Sequence, residues 1–216
     1  MIKKNISFSY KARYSTHGNL SSTTEYIWVV FHGYGQLAEF FIKKFETLDT
    51  DKHYIIAPQG LSTAYLEKFT GRVGANWMTK HERELDIENN LNYLETLVRS
   101  ELKDISTHAK KIIVLGFSQG AATASRWIAH TDYEINRFLV WGGMIAHDIE
   151  PIFYQKMKNK IALFYGDKDE FINEEKLKTG LEVLKEVEIS PQLIPYRGTH
   201  KIYEEVLNDF IQNSLA

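Results

Sequence analysis

Lys111-Ile112-Ile113-Val114-Leu115-Gly116-Phe117-Ser118-Gln119-Gly120-Ala121-Ala122-Thr123-Ala124 joins two different periodicities across one short turn. It opens on a continuous β-branched, apolar run, the pattern of a strand buried on both faces. It closes on small residues that begin a helical pattern reaching His130. Between them stands a serine with glycine two positions before and two after. A serine held in a strained strand-to-helix turn needs such glycines, because strand and helix approach there too closely to admit a Cβ. The turn pushes the hydroxyl into the open beside a helix N-terminus, whose partial positive charge favours a developing oxyanion. Two glycines and a serine also occur in ordinary βα turns. The strand before, the small-residue helix after and a His-Gly loop upstream favour the nucleophile elbow.

The alternation of strand and helix continues on both sides. Residues 6–14 alternate in a strand-like way and read as an edge strand, while Tyr26-Ile27-Trp28-Val29-Val30-Phe31 reads as a buried strand that stops at His32-Gly33-Tyr34-Gly35. A helical stretch over residues 37–48, a strand at 53–58 and an amphipathic helix over 82–103 follow. Downstream come strands at 138–141 and 161–165, each closing on glycine, then a helix at 174–186, a strand at 192–196 and a helix at 200–213. Buried strands separated by helices predict an α/β architecture: one domain over residues 1–216, a mostly parallel central sheet with helices on both faces, and no large cap domain. In such sheets, sites gather beyond the carboxyl ends of the strands. Residues 60–80 interrupt the rhythm, with no helical or strand period, three glycines and the aromatics Tyr65, Phe69 and Trp77. They are expected to form a structured excursion from the sheet.

Composition narrows the function. With 26 Lys and Arg against 28 Asp and Glu, the net charge of -2 gives no basic field of the kind nucleic acid demands. The absence of cysteine excludes disulfides, thiolate zinc sites and a catalytic cysteine. No apolar run approaches the length of a bilayer span, and the N-terminal residues lack a signal-peptide core, so a cytoplasmic location is expected. Nothing in the sequence specifies an assembly, and a homodimer is compatible with it.

A serine hydroxyl is a weak nucleophile at neutral pH and needs a base, for which histidine has the matching pKa. On this architecture the order Ser, acid, His is expected, leaving His130, His147 and His200. His130 ends a helix and reads as a C-terminal cap, and His147 precedes any later strand-end acid. His200, in Arg197-Gly198-Thr199-His200 after the last strand, remains as the base. The loop Gly166-Asp167-Lys168-Asp169-Glu170 offers three carboxylates to orient it. An oxyanion hole needs preorganised donors; the backbone N–H groups of Gln119 and of Tyr34, in the glycine-flanked loop after the strand at 26–31, are suitably placed in sequence. His32 reads as a structural brace of that loop.

At these residues the chain resembles the phospholipase/carboxylesterase family of α/β hydrolases, which includes bacterial carboxylesterases and acyl-protein thioesterases. The likeness spans nearly the whole chain and rests on His32-Gly33-Tyr34-Gly35, Gly116-Phe117-Ser118-Gln119-Gly120, Gly166-Asp167-Lys168-Asp169 and Gly198-Thr199-His200. The resemblance implies an α/β-hydrolase fold, selects Asp169 as the acid, places Tyr34 and Gln119 at the oxyanion hole, and implies that no metal or organic cofactor is used. The chain departs from the family pattern at Tyr165, where histidine is frequent, and at Asn76-Trp77-Met78-Thr79, where a Trp-Phe-Asp stretch is frequent. These changes bear on the acyl pocket rather than on the reacting groups.

The expected reaction is cleavage of a small-molecule carboxylic ester through an acyl-Ser118 intermediate, with acyl thioesters as the alternative substrate class. Trp77, with Tyr65 or Phe69, is expected to shape the substrate pocket, and Met144, after a strand end, is a candidate lining residue. A non-catalytic binding module on a hydrolase scaffold is the competing reading. It is disfavoured because no required residue type is missing.

Overall fold

The computed structural model describes residues 2–106 and 110–215. In chain order the elements are β1 (Tyr14–His17), β2 (Tyr26–Phe31), α1 (Ala38–Phe41) continued by a 3-10 turn over Ile42–Phe45, β3 (His53–Pro58), β4 (Ser62–Glu67) and β5 (Thr70–Asn76). Then follow α2 (Arg83–Leu102), β6 (Lys111–Phe117), α3 (Gln119–His130), β7 (Ile135–Trp141), α4 (Pro151–Met157), β8 (Ile161–Gly166), α5 (Glu174–Glu186), β9 (Gln192–Tyr196) and α6 (Glu204–Ser214). Seven strands form one sheet in the order β1-β3-β2-β6-β7-β8-β9, parallel throughout except for the antiparallel edge strand β1. This is the α/β-hydrolase arrangement expected from the sequence.

All six residues of β2 are buried because the sheet is covered on both sides, and side chains alternate between the two faces. Ile27, Val29 and Phe31 enter one core with Leu94, Leu97 and Val98 of α2, Trp127 of α3, Phe153 of α4 and Leu184 of α5. Trp28 and Val30 enter the other with Phe41 of α1, Phe45 of the 3-10 turn, and Leu207 and Phe210 of α6. The sheet separates the two cores. Burial of some fifty apolar side chains at about 25 cal/mol per Å² of apolar surface is therefore what fixes the strand ends that carry the site.

Three expectations need correction. The edge strand does not cover residues 6–14: Ile6, Phe8 and Tyr10 are exposed, and pairing begins at Tyr14, opposite Pro58. β3 ends at Pro58, so beyond one bond from Gln59 N–H to the Arg13 carbonyl (3.1 Å) the sheet offers no neighbouring backbone to the earlier residues. Residues 60–80, read as lacking any strand period, contain the antiparallel hairpin β4–β5. The hairpin stands outside the main sheet, and β4 is exposed at five of six positions, so no alternation of buried and exposed residues is imposed on its sequence. The last helix starts at Glu204 rather than at 200, which leaves His200 in the preceding loop.

Candidate active site

β6 ends at Phe117 and α3 begins at Gln119, so Ser118 alone makes the turn, with φ 54° and ψ -120°. That conformation is strained for a residue bearing a Cβ and persists only where the surroundings over-determine it. They do so here. A Cβ on Gly116 would collide with the Cα of Ala121, and one on Gly120 with the carbonyl oxygen of Phe31. The Ser118 N–H donates to the Trp141 carbonyl (2.9 Å), and the Ser118 carbonyl accepts from the Ala121 N–H (3.0 Å).

Asp169 follows β8 in a tight turn, and its side chain is fully buried. Its Oδ1 accepts from the N–H groups of Phe171 (2.8 Å) and Ile172 (3.0 Å), while its Oδ2 lies 2.8 Å from His200 Nδ1. With Nδ1–H donating to the carboxylate, Nε2 is the nitrogen free to take a proton. The imidazole packs between the rings of Phe117 and Phe171, with centroids 4.9 Å and 4.6 Å away. Because Phe117 adjoins Ser118, this packing brings His200 to the elbow. Gly142, at φ 54°, makes room: a Cβ there would sit 3.1 Å from the His200 ring and 3.2 Å from Asp169 Oδ2. Of the other two carboxylates in the loop, Asp167 accepts from the Gly198 N–H (2.8 Å) and ties the acid loop to the histidine loop, and Glu170 is exposed. The side chain nearest the imidazole is thus the one the family resemblance selected.

Tyr34 and Gln119 present backbone N–H groups that meet no internal acceptor among the described residues. Gln119 N–H is one of the open donors of a helix N-terminus. The Tyr34 loop is pinned by its neighbours: Gly35 N–H to the Ala75 carbonyl (2.8 Å), Ala75 N–H to the Gln36 carbonyl (3.1 Å), and Gly33 N–H to the Gln36 side chain (2.8 Å). His32 is the brace expected. It is wholly buried, its Nδ1 donates to the Gly33 carbonyl (2.8 Å), and its Nε2 accepts from Gly60 N–H (3.0 Å). Burial, only partly opposed by the bond to Gly33, pushes its pKa down to about 4, so the ring is neutral at working pH.

The proposed pocket aromatics lie elsewhere. Trp77 is 1 % exposed and packs under the loop, stacked on His32 at 4.8 Å, its indole N–H donating to the His32 carbonyl (2.8 Å). Tyr65 and Phe69 sit on the hairpin at 52 % and 90 % exposure, because no further layer covers its outer side. Met144 does line the cavity of about 320 Å³ at Ser118, together with Phe171, Ile172 and Gly143. A further apolar cavity of about 470 Å³ opens behind it, between residues 144–147 and α5.

Two features were not read from the sequence. The Gln119 side chain clamps the chain after β5, accepting from Trp77 N–H (3.1 Å) and donating to the Met78 carbonyl (2.9 Å). Arg126, on the same helical face as Ser118 and Ala122, lines the Ser118 cavity and is neutralised by Asp148 (Nη2–Oδ1 2.6 Å). Burial alone would raise the Asp148 carboxyl; hydrogen bonds from Arg126 and Arg83 override it and hold the group well below the ordinary carboxylate range. The i, i+4, i+8 spacing from Ser118 could have flagged Arg126, but nothing in the sequence named its partner.

Comparison with known proteins places this architecture. The phospholipase/carboxylesterase family model matches residues 21–216. The chain belongs to the phospholipase/carboxylesterase family. An acyl-protein thioesterase 1 homolog of Dictyostelium discoideum is 25% identical to this family member over 142 residues, spanning 62% of each protein, which is less than two thirds of that relative's length. Among solved structures, acyl-protein thioesterase 2 of Zea mays superposes with a TM-score of 0.70 at 17% identity, covering 94% of this chain and 97% of that one. A phospholipase/carboxylesterase from Dyadobacter fermentans gives 0.65 at 18% identity, covering 98% and 100%. At such identities the superpositions establish the fold alone. The description of that family is phospholipase/carboxylesterase. Among the described residues, no helix is long and apolar enough to cross a membrane, and no cluster of three His, Asp or Glu is disposed to hold a metal ion.

Proposed function

We propose that this protein cleaves carboxylic esters of small molecules by acyl transfer to Ser118. The observation that carries the reading is the strained Ser118 turn standing beside an imidazole fixed by a buried carboxylate. His200 Nε2 takes the Ser118 proton as Oγ attacks the ester carbonyl, and the Tyr34 and Gln119 N–H groups receive the oxyanion. Collapse of the tetrahedral species breaks the bond to the leaving oxygen, which receives the proton from His200. Water then attacks the acyl-enzyme with His200 again as base, releasing the acid and restoring Ser118. Asp169 keeps the proton on Nδ1 and stabilises the imidazolium that forms at each step.

The cavity at Ser118, extended past Met144 into the apolar space along α5, suits an acyl chain. Thioesters are the second substrate class, favoured by the names carried by the Dictyostelium and maize proteins. A panel of p-nitrophenyl esters from acetate to palmitate, run beside acyl thioesters, tests the reading. Turnover with a chain-length optimum, lost in Ser118→Ala, is expected. Turnover of neither class by a folded protein would contradict it and favour a non-catalytic binding module.

A further inference from the structure

His200 lines a cavity other than the one Ser118 lines. It is a groove of about 460 Å³ between the Tyr34 loop, α1, β5 and the loop before α6. Its apolar wall includes Phe41, Phe117 and Ile202, all buried. Its rim carries three cationic side chains, Lys44, Arg72 and Lys201, and no carboxylate lines it. Lys44 has only a long, half-exposed contact with Glu204, at 3.9 Å, which contributes little. Neither Arg72 nor Lys201 meets a carboxylate within ion-pair distance among the described residues. In a chain with a net charge of -2, three cations around one groove are a local asymmetry. The Ser118 cavity lacks it, because Arg126 there is paired with Asp148.

The chemistry assigns the groove. When the tetrahedral species collapses, the imidazolium gives its proton to the departing atom, so the leaving group must lie against His200. A low-dielectric wall beneath fixed charges of one sign focuses their field and raises the local concentration of opposite charge. We propose that this groove holds the leaving group and selects one that bears negative charge, an anion on an apolar stem, with Lys44, Arg72 and Lys201 as specificity-determining residues. The proposal rests on acyl transfer through Ser118.

The test compares three esters with one acyl group: p-nitrophenyl butyrate, its ring-carboxylated analogue, and its ring-phosphonomethyl analogue. The ratio of kcat/KM for each charged ester to that for the neutral one is measured in the wild type and in the triple variant Lys44→Gln, Arg72→Gln, Lys201→Gln. Comparing proteins cancels the intrinsic reactivity of each leaving group. All three positions are exposed, so the variant should fold, and its melting curve checks this. The ratio is expected to fall roughly tenfold in the triple variant. In the wild type it should also fall between low and high salt, as screening predicts. The larger fall between the carboxylate and phosphonate arms names the anion. Ser118-dependent turnover of the neutral ester with ratios unchanged in the variant would overturn the groove assignment alone. Absence of Ser118-dependent turnover with all three esters would overturn the acyl-transfer reading and the groove assignment together.

Discussion

Asp169 shows how much one side chain determines. Both its oxygens are engaged: one accepts from two backbone N–H groups, which fix the carboxylate, and the other accepts from the Nδ1–H of His200. Asp169→Asn keeps the shape but presents an amide that can donate to Nδ1, favouring the wrong tautomer. We expect kcat to fall by roughly 10³- to 10⁴-fold with the fold intact. A loss of less than tenfold, measured with the preferred ester, would show that His200 is not oriented this way. At this scale the sequence was most informative where backbone geometry demands a residue type. Gly116, Ser118 and Gly120 were legible because a Cβ at either glycine meets backbone atoms that cannot move away. Trp77 was not, because an aromatic in a segment without periodicity reads the same whether it lines a pocket or, as here, donates its indole N–H to the carbonyl of a buried histidine.

Among elements, α5 has an unusual feature in Gly180, whose missing side chain is replaced by the tip of Met144: a Cβ there would collide with Met144 Cε. A mid-helix glycine costs about 1 kcal/mol relative to alanine, so the notch has to be maintained by something other than helix propensity. The proposed acyl path past Met144 supplies a reason. Gly180→Leu should displace the Met144 tip, narrow the 470 Å³ cavity and shift the ester optimum to shorter chains, with each excluded methylene lowering kcat/KM by about fourfold. An unchanged chain-length profile in the folded variant would put the acyl group elsewhere. Element order and type were largely legible, since strands buried on both faces and amphipathic helices leave opposite signatures. α3 and α5 begin and end where their patterns do. The hairpin β4–β5 was not legible because neither of its faces is required to be apolar, and its role in pinning the Tyr34 loop runs through backbone bonds that leave no side-chain pattern.

The whole molecule couples site architecture to stability through His32. Its pKa is about 4 in the folded protein against 6.5 ordinarily, so between those values the unfolded chain binds a proton that the folded one does not. Stability contributed by the neutral ring is therefore complete above about pH 6.5 and is lost as the pH falls towards 4. The loss is on the order of 3 kcal/mol at most. His53, whose pKa burial also lowers, acts in the same direction. Urea unfolding midpoints should drop clearly between pH 7.5 and pH 4.5, and a flat profile would show that His32 does not need to remain neutral. The two cores on either side of the sheet support strand ends that meet at one edge, where Ser118, Asp169 and His200 come from three separate loops.

That convergence is tested most directly by a fluorophosphonate probe, which reacts only with a serine activated by a base and an oxyanion hole. The labelled protein would be digested and the modified residue located by mass spectrometry. Stoichiometric modification at Ser118, abolished in Ser118→Ala and strongly slowed in His200→Ala, is the predicted result. Absence of labelling in the folded wild-type protein, or equal labelling in Ser118→Ala, would contradict the assignment of Ser118 as an activated nucleophile.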